Sequence, residues 1–468
     1  MTAQPLWTAD EVLEATGGRL DGQGFEAQGV TFDSREVQPG DIFVALAGER
    51  DGHDFASMAF EKGAAAAIVS RPVEGGSSIL VPDTLKALEA LGAYARDRAP
   101  QVRRGAVTGS VGKTSVTQAI RAGLTLAGPA HSSIKSFNNH IGVPLTLARM
   151  PRDVERAVFE IGMNHADEIR PLSKMVQPHA ACVTTVGPVH TENFPDGEAG
   201  VARAKAEIFE GLGPGGVAIV NADNVWFDLL KQSALHVGAR VMTFGVDESA
   251  DACLLDFKAF DGGARVRARV WGHEHDFTLR QSGHHWGLNS MAVLLMLDAL
   301  DVSVETGIAA LSEFEPLAGR GQEKRVRVEG GVFTLVDESY NANPLSMRAA
   351  FRSLGAREVG EGRRIVVATD MLELGTEAAD HHASLAGPLA EANVDLVFCA
   401  GPNMKHLWSA LPESRRGAWA ETAAELAPKV VEAVKAGDVV VVKGSNGSRA
   451  GLVAKALADI EVAGREMA

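Results

Sequence analysis

From about residue 104 the chain repeats one order of segments: a short apolar strand, a glycine turn, then a helix. GAVTGSVGKT at 105–114 is the sharpest case, and TSVTQAIRAGLTLAG then runs with apolar residues at helical spacing until Gly128-Pro129 stops it. RAVFEIG (156–162), AACVTTVG (180–187) and VAIVNAD (217–223) read as further strands, with EAGVARAKAEIFEGL (198–212) as a helix between the last two. HHWGLNSMAVLLMLDAL (284–300) reads as one more helix. Strands alternating with helices lie side by side in a mostly parallel sheet, because a parallel neighbour is reached only by a crossover, and the crossovers cover both faces.

The flanks differ from this unit and from each other. WTADEVLEATGG (7–18) reads as a helix whose first turn Thr8 can cap, with Glu11 three residues on. The strands GVTFDSR, DIFVALAG and AAAAIVS follow, and the helix TLKALEALGAYARDRA ends at Pro100. Beyond 316–321 a second α/β unit begins. VFTLVDES, RIVVATD, VDLVFCAG and DVVVVKGS are its strands; PLSMRAAFRSL, 378–392 and SRAGLVAKALADI are its helices. The expected fold class is α/β in three domains, and 468 residues at about 150 per domain agree. They are a small mixed α/β N-terminal domain (1–100), a central phosphate-loop domain with a parallel sheet (101–316) and a C-terminal Rossmann-like domain (317–468).

Composition excludes several classes of function. There are 45 basic against 60 acidic residues, a net charge of −15, without the clustered basic excess that nucleic acid or an anionic membrane surface requires. Cys182, Cys253 and Cys399 stand far apart in apolar stretches and read as buried thiols of a reducing compartment, not as a disulfide or zinc framework. The N-terminus has no basic segment followed by an apolar one, and no run approaches the roughly 18 apolar residues of a membrane span. The expected location is the cytoplasm.

Chemistry concentrates at Thr108-Gly109-Ser110-Val111-Gly112-Lys113-Thr114-Ser115, between a strand and a helix. Glycines let backbone N–H groups turn inward around phosphate oxygens, the helix N-terminus adds partial positive charge, and a lysine reaches the terminal phosphates. The hydroxyl of Thr114 can ligate Mg²⁺. The strict phosphate-loop pattern has glycine where this chain has Val107, so the match is partial. Mg²⁺ also takes one or two carboxylates. Glu160 ends the strand RAVFEIG, and such strand ends face the ligand crevice. His190, just after AACVTTVGPV, can ligate a second metal ion. Lys205 reads, from its own stretch alone, as a solvated helix lysine.

Taken in order, these motifs resemble the Mur ligases, ATP-dependent amide-forming enzymes of peptidoglycan precursor synthesis, over essentially the whole chain. TGSVGKTS is similar to that family's ATP loop, which lacks the first Walker glycine, as here at Val107. The resemblance implies ATP and two Mg²⁺ sites, with Thr114, Glu160, His190 and Lys205 as metal-side residues. It also implies a carbamylated Lys205, its ammonium replaced by a carboxylate-like group. His285 and Asn289 match a His-x-x-x-Asn pair near adenine, and Arg320 matches an arginine that reaches the γ-phosphate. Asp337-Glu-Ser-Tyr-Asn-Ala-Asn-Pro344 is similar to DDSYNANP, so Asp337, Glu338, Tyr340 and Asn341 would face nucleotide. Which of Asp337 and Glu338 meets the ribose stays open.

The first domain carries the resemblance as well. Asp33-Ser34-Arg35, followed by QPGDIFVAL and AGERDGHDF, is similar to a uridine-nucleotide domain, where Ser34 and Arg35 would hold the UDP moiety. Asn138-Asn139-His-Ile-Gly142-Val-Pro144 is close to the NNxIGVPLTL typical of the branch that adds D-alanyl-D-alanine, making Asn138 and Asn139 substrate contacts. The TTP and DNPR stretches of the sister that adds diaminopimelate or lysine are absent. The resemblance implies that the third domain, 317–468, binds the amine acceptor, and Thr369, where glycine is usual, and Asn446, where arginine is common, are departures near that acceptor.

The implied activity joins D-alanyl-D-alanine to a UDP-N-acetylmuramoyl tripeptide through an acyl phosphate, in a monomer that closes at hinges near Pro100 and Pro316–Gly321. Catalytic roles fall to Lys113, Lys205, His190 and Arg320. The rivals are the sister ligase, a folyl-polyglutamate-type ligase with the same ATP loop, and a nucleotide switch protein. The last would carry NKxD, and NADN at 221–224 lacks the lysine. The pairs His273/His275 and His381/His382 offer a zinc-like spacing, but neither has a nearby cysteine or a third ligand at regular spacing.

Overall fold

In a computed structural model of the protein, which describes residues 4–133, 136–260 and 262–460, three large sheets succeed one another along the chain, besides a two-stranded ribbon of Trp7–Thr8 with Glu26–Ala27. The first has five strands in the order Arg19–Asp21, Ser78–Leu80, Ala66–Val69, Asp41–Val44 and Gly29–Thr31, parallel except for the first. The helix Ala9–Thr16 begins with the expected box: Glu11 N donates to Thr8 Oγ1, and Thr8 N donates to the Glu11 carboxylate at 3.0 Å. The helix Thr84–Asp97 starts on Asp83, whose carboxylate accepts from the backbone of Leu85 and Lys86.

This unit is stapled to the next. Trp7 is fully buried, its Nε1 donates to Ala148 O at 2.8 Å, and the Arg98 guanidinium covers its ring at 4.1 Å. A Cβ on Gly92 would lie 3.0 Å from Pro144 O, so Thr84–Asp97 rests directly on the helix Gly142–Ala148. Leu145 and Ala148 belong to the same core as Val12, Ile42 and Ile79. Bending at Pro100 would therefore have to break buried contacts.

The central sheet has nine strands, in the order Ala130–Ser132, Arg156–Glu160, Arg103–Thr108, Ala180–Val183, Val217–Asn221, Arg240–Gly245, Ala252–Phe260, Gly263–Val270 and His273–Leu279. All are parallel up to Ala252–Phe260, and an antiparallel meander closes the edge. The helices Lys113–Ala127, His285–Ala299 and Val304–Glu313 cover one face; Gly142–Ala148, Ile169–Val176, Glu198–Ala206 and Phe227–His236 cover the other. His285–Ala299 is apolar nearly all round because it is buried between the sheet and two neighbouring helices. The helix expected over 198–212 ends at Ala206 and tightens into a 3-10 turn, Glu207–Gly211. There a Cβ on Gly211 would come within 2.2 Å of Ser173 Oγ, so the chain hugs the helix Ile169–Val176.

The third sheet runs Gln322–Val328, Gly331–Glu338, Val439–Lys443, Arg364–Thr369, Leu396–Ala400 and Arg416–Ala420, with only the first pair antiparallel. The segment 378–392 is two helices, Ala378–Ala383 and Ala386–Glu391, broken at Ser384-Leu385. Pro388 explains the break, since its ring disfavours helix at the carbonyl four residues back, that of Ser384. All three cysteines are buried and free. Among the described residues no helix is long and apolar enough to cross a membrane.

Burial gives the fold an acid limit. Desolvation holds the His131 and His179 imidazoles down to about 4, aided at His179 by Arg104. The unfolded chain, with imidazoles near 6.5, binds more protons between about pH 6.5 and pH 4. Stability is thus full above that window and falls as the pH drops through it, by on the order of 3 kcal/mol for enclosed His131. Thermal melting between pH 7 and pH 4.5 should fall less steeply for His131→Gln than for the wild type; equal slopes would remove His131 as the cause.

Candidate active site

The central strand Arg103–Thr108 delivers the phosphate loop. Val107 is fully buried in that strand, in register with Glu160 on one side and Cys182 on the other. The position where the strict pattern has glycine is therefore core, and the loop opens at Gly109. A Cβ on Gly109 would sit 1.9 Å from Thr184 Oγ1, and Gly112, at φ 85°, turns the chain into the helix Lys113–Ala127. No side chain caps that helix, which leaves its first N–H groups for a ligand. Lys113 Nζ donates to Gly109 O at 2.8 Å. Burial pushes its pKa down, Glu160 opposes this, and Arg320 adds to it. Gly109→Ala should cost roughly 100-fold in turnover through displacement of the loop, with folding retained. Steady-state phosphate release and a melting curve would check this, and unchanged turnover would show that the loop tolerates the side chain.

The metal-side residues gather beside this loop. Glu160 is buried at its strand end, and Asn138 Nδ2 donates to its Oε1 at 2.7 Å. His190 sits in a left-handed backbone at φ 60°, with Nδ1 3.3 Å from a Glu373 carboxylate oxygen. Burial, with Lys113 and Lys205 nearby, pushes its pKa down to about 4, so the ring is neutral at pH 7 and has a lone pair to give. Lys205 is buried, and burial plus Lys113 hold its pKa well below that of an ordinary lysine. No acceptor for its ammonium is found among the described residues. Among those residues no group of three or more His, Cys, Asp or Glu stands close enough to hold a metal ion. A hydroxyl, one carboxylate and a neutral imidazole beside a phosphate loop nevertheless suit Mg²⁺, which is usually bound by one or two carboxylates plus phosphates and water.

A cleft of about 420 Å³ opens between the central and third sheets. Ser110 through Ser115 line it from the loop, with Asn138 and Glu160 beside them, His285 and Asn289 from the helix His285–Ala299, and Arg320, Glu338, Tyr340 and Asn341 opposite. The Arg320 guanidinium lies 4.0 Å from the Tyr340 ring centroid.

The remaining expected site residues also make contacts within the fold. Thr108 ends the buried strand, its hydroxyl without a partner among the described residues. Asp337 accepts from Ser339 N at 3.0 Å and holds a turn, leaving Glu338 as the acid in the cleft. Asn138, expected to touch substrate, lines the cleft and donates one amide hydrogen to Glu160. Asn139 accepts from Ile141 N and Gly142 N and starts a helix. Ser34 is buried, while the exposed Arg35 forks onto Asp33 at 2.7 and 2.9 Å, well outside the cleft lining. His382, one of the zinc-like pair His381/His382, uses both ring nitrogens structurally: Nδ1–H donates to Ala378 O and Nε2 accepts from Met371 N.

Lys443 was not anticipated. It ends the strand Val439–Lys443, buried, with Nζ 3.0 Å from both Glu338 Oε2 and Asn341 O. Burial would raise the Glu338 pKa, but Lys443, helped by His285 and Arg357, holds it below the usual value. The available signal was a lone cation at the C-terminal end of VVVV, the position where open α/β sheets meet their ligands.

Comparison with known proteins covers nearly all of the chain. Residues 26–107 match the catalytic domain of the Mur ligase family, 107–297 its middle domain and 319–446 its glutamate ligase domain. Over 446 residues the chain is 31% identical to the UDP-N-acetylmuramoyl-tripeptide--D-alanyl-D-alanine ligase of Rickettsia prowazekii, covering 94% of this chain and 97% of that one. With the Escherichia coli protein of the same description it shares 35% over 407 residues, 84% of this chain and 86% of the other. The solved structure of MurF from Acinetobacter baumannii superposes with a TM-score of 0.86 at 29% identity, covering 97% and 99% of the two chains.

Proposed function

The chain belongs to the Mur ligase family, and on that premise we propose that it is the ATP-dependent ligase that joins D-alanyl-D-alanine to a UDP-N-acetylmuramoyl tripeptide, releasing ADP and phosphate. The observation that carries this reading is the cleft itself, which sets the phosphate loop and Glu160 against Arg320, Glu338 and Lys443 from the third sheet.

The first step is phosphoryl transfer. A terminal carboxylate oxygen of the tripeptide bonds to the γ-phosphorus as the bond to the ADP oxygen breaks. Such transfer needs alignment and charge neutralisation more than covalent help from the protein. Lys113 and the open helix N-terminus hold the β- and γ-phosphates, and Arg320 meets them from the far wall. Mg²⁺, when bound by Thr114, Glu160, His190 and a carbamylated Lys205, would neutralise charge on the phosphates. Lys205 is suited to carbamylation because burial and Lys113 lower its pKa and so favour the free amine over the ammonium: nitrogen bonds to the carbon of CO₂ and one proton leaves to solvent. Glu338, kept ionised by Lys443, is the acid placed for the ribose hydroxyls.

In the second step the D-alanyl-D-alanine amine attacks the acyl carbon. The carbon–oxygen bond to phosphate breaks, phosphate departs with the electron pair, and the nitrogen loses its proton. Cations around the cleft stabilise the tetrahedral intermediate. An acyl phosphate is lost to bulk water, so the third domain must close over the central one, by bending at 316–321. Ser34 and Arg35 are assigned to the UDP moiety, with the Asp33–Arg35 pair opening when diphosphate arrives.

Hydroxylamine in place of D-alanyl-D-alanine tests the acyl phosphate. A tripeptide hydroxamate should form only with ATP and Mg²⁺ present; its formation without ATP, or its absence while ligation proceeds, would contradict this chemistry.

A further inference from the structure

Three parts of the molecule meet at the short segment 136–139. Ser136 Oγ lies 3.2 Å from Thr114 Oγ1 and 3.3 Å from the Tyr340 hydroxyl. Phe137 packs edge-on against Phe32 of the first domain at 6.1 Å between centroids, and Asn138 donates to Glu160. Tyr340 is in turn clamped to the connection between the second and third sheets. Its N–H donates to Gly319 O at 3.0 Å, and a Cβ on Gly319, itself at φ 69°, would lie 3.1 Å from Tyr340 Cβ. Arg320 covers its ring. A continuous chain of hydroxyls thus runs from the first turn of the phosphate-loop helix to the connection at 317–321.

Resting on the ATP and Mg²⁺ reading above, we propose that Ser136 is a positioning residue that carries cation loading at Thr114 to Tyr340, and so to closure of the third domain. A hydroxyl that gives a lone pair to a cation keeps its hydrogen for a second partner, and the partner here is Ser136 Oγ. Ser136 then has its own hydrogen to donate to the Tyr340 oxygen. Without a cation each of the two bonds can run in either sense, and nothing sets the direction of the chain. Loading fixes that direction and holds Tyr340, with Arg320 against its ring, over the cleft. A side chain at 136 without a hydroxyl cuts both bonds at once, whereas threonine keeps them.

The test titrates Mg²⁺ at fixed AMP-PNP and follows closure of the full chain by small-angle scattering, beside melting curves without nucleotide. Ser136→Ala should need roughly five times more Mg²⁺ for half-closure, as expected for loss of a modest hydrogen bond, while melting with the wild type. Ser136→Thr should restore the wild-type midpoint. In steady state kcat should fall with the tripeptide KM little changed. Tyr340→Phe removes the same link from the other end and must shift the midpoint likewise, which decides the matter should Ser136→Ala fold poorly. Closure of these variants at wild-type Mg²⁺ overturns the proposal alone; a wild type that does not contract with any Mg²⁺ and AMP-PNP overturns the reading beneath it.

Discussion

Lys205→Ala should lose ligation by on the order of 1000-fold, equivalent to about 4 kcal/mol of transition-state stabilisation. The expectation rests on an otherwise costly arrangement. A lysine is buried in the helix Glu198–Ala206 beside a second cation, Lys113, and no acceptor meets it among the described residues. Burying an ammonium in this way is unfavourable unless the group becomes neutral or changes chemically. Carbamylation would do the latter: it would put an anion that attracts Lys113 in place of the amine and complete the ligand set proposed with Glu160 and His190. Because alanine removes a buried unpaired amine, the variant should fold at least as well as the wild type. Millimolar acetate or formate, small enough to enter the space vacated, should recover part of the rate. Near-native ligation by Lys205→Ala, read by phosphate release, would show that no carbamate bridge operates.

Lys113→Met should lower turnover by roughly 1000-fold, the scale of losing one preorganised donor at developing charge. Its ammonium stands at the start of the helix Lys113–Ala127, tied to Gly109 O and near Glu160 and Arg320, so it faces the cleft as a fixed charge. Methionine matches its length and leaves the glycine turn intact, which separates loss of charge from loss of the loop. Lys113→Arg should not restore the rate, since a planar fork cannot occupy the point-like site behind Gly109. Positional isotope exchange in ATP, with tripeptide and no acceptor, reads the first step alone. Exchange at the wild-type rate in Lys113→Met would move the role of this residue out of phosphoryl transfer.

What could be read before the fold was known depended on the distance over which each signal acts. The phosphate loop, the strand before it and the helix after it were legible because glycines, apolar runs and the lysine stand within a dozen residues. The capping box at Thr8 and Glu11 was legible for the same reason. The meander 252–279 carries a local signal of its own, since Ala264, Val266, Ala268 and Val270 are buried between Arg265, Arg267 and Arg269, a clean alternation. The bond from Asn138 to Glu160 is not legible, because the two stand 22 residues apart and only the pairing of Arg156–Glu160 with the loop strand brings them together. Lys443 and Glu338 meet across 105 residues. Lys205 shows the limit most plainly. Its helix carries alanines on several sides and no apolar stripe, so nothing local betrays that the lysine points inward.

The central claim, that this site activates a tripeptide carboxylate for D-alanyl-D-alanine, is tested most directly by substrate choice. Phosphate release from ATP should be followed with UDP-N-acetylmuramoyl tripeptide plus D-alanyl-D-alanine, and separately with the corresponding dipeptide plus diaminopimelate. Rapid release with the first pair and background release with the second is the expected result; the reverse would make the chain the sister ligase and contradict the acceptor assigned to its third domain.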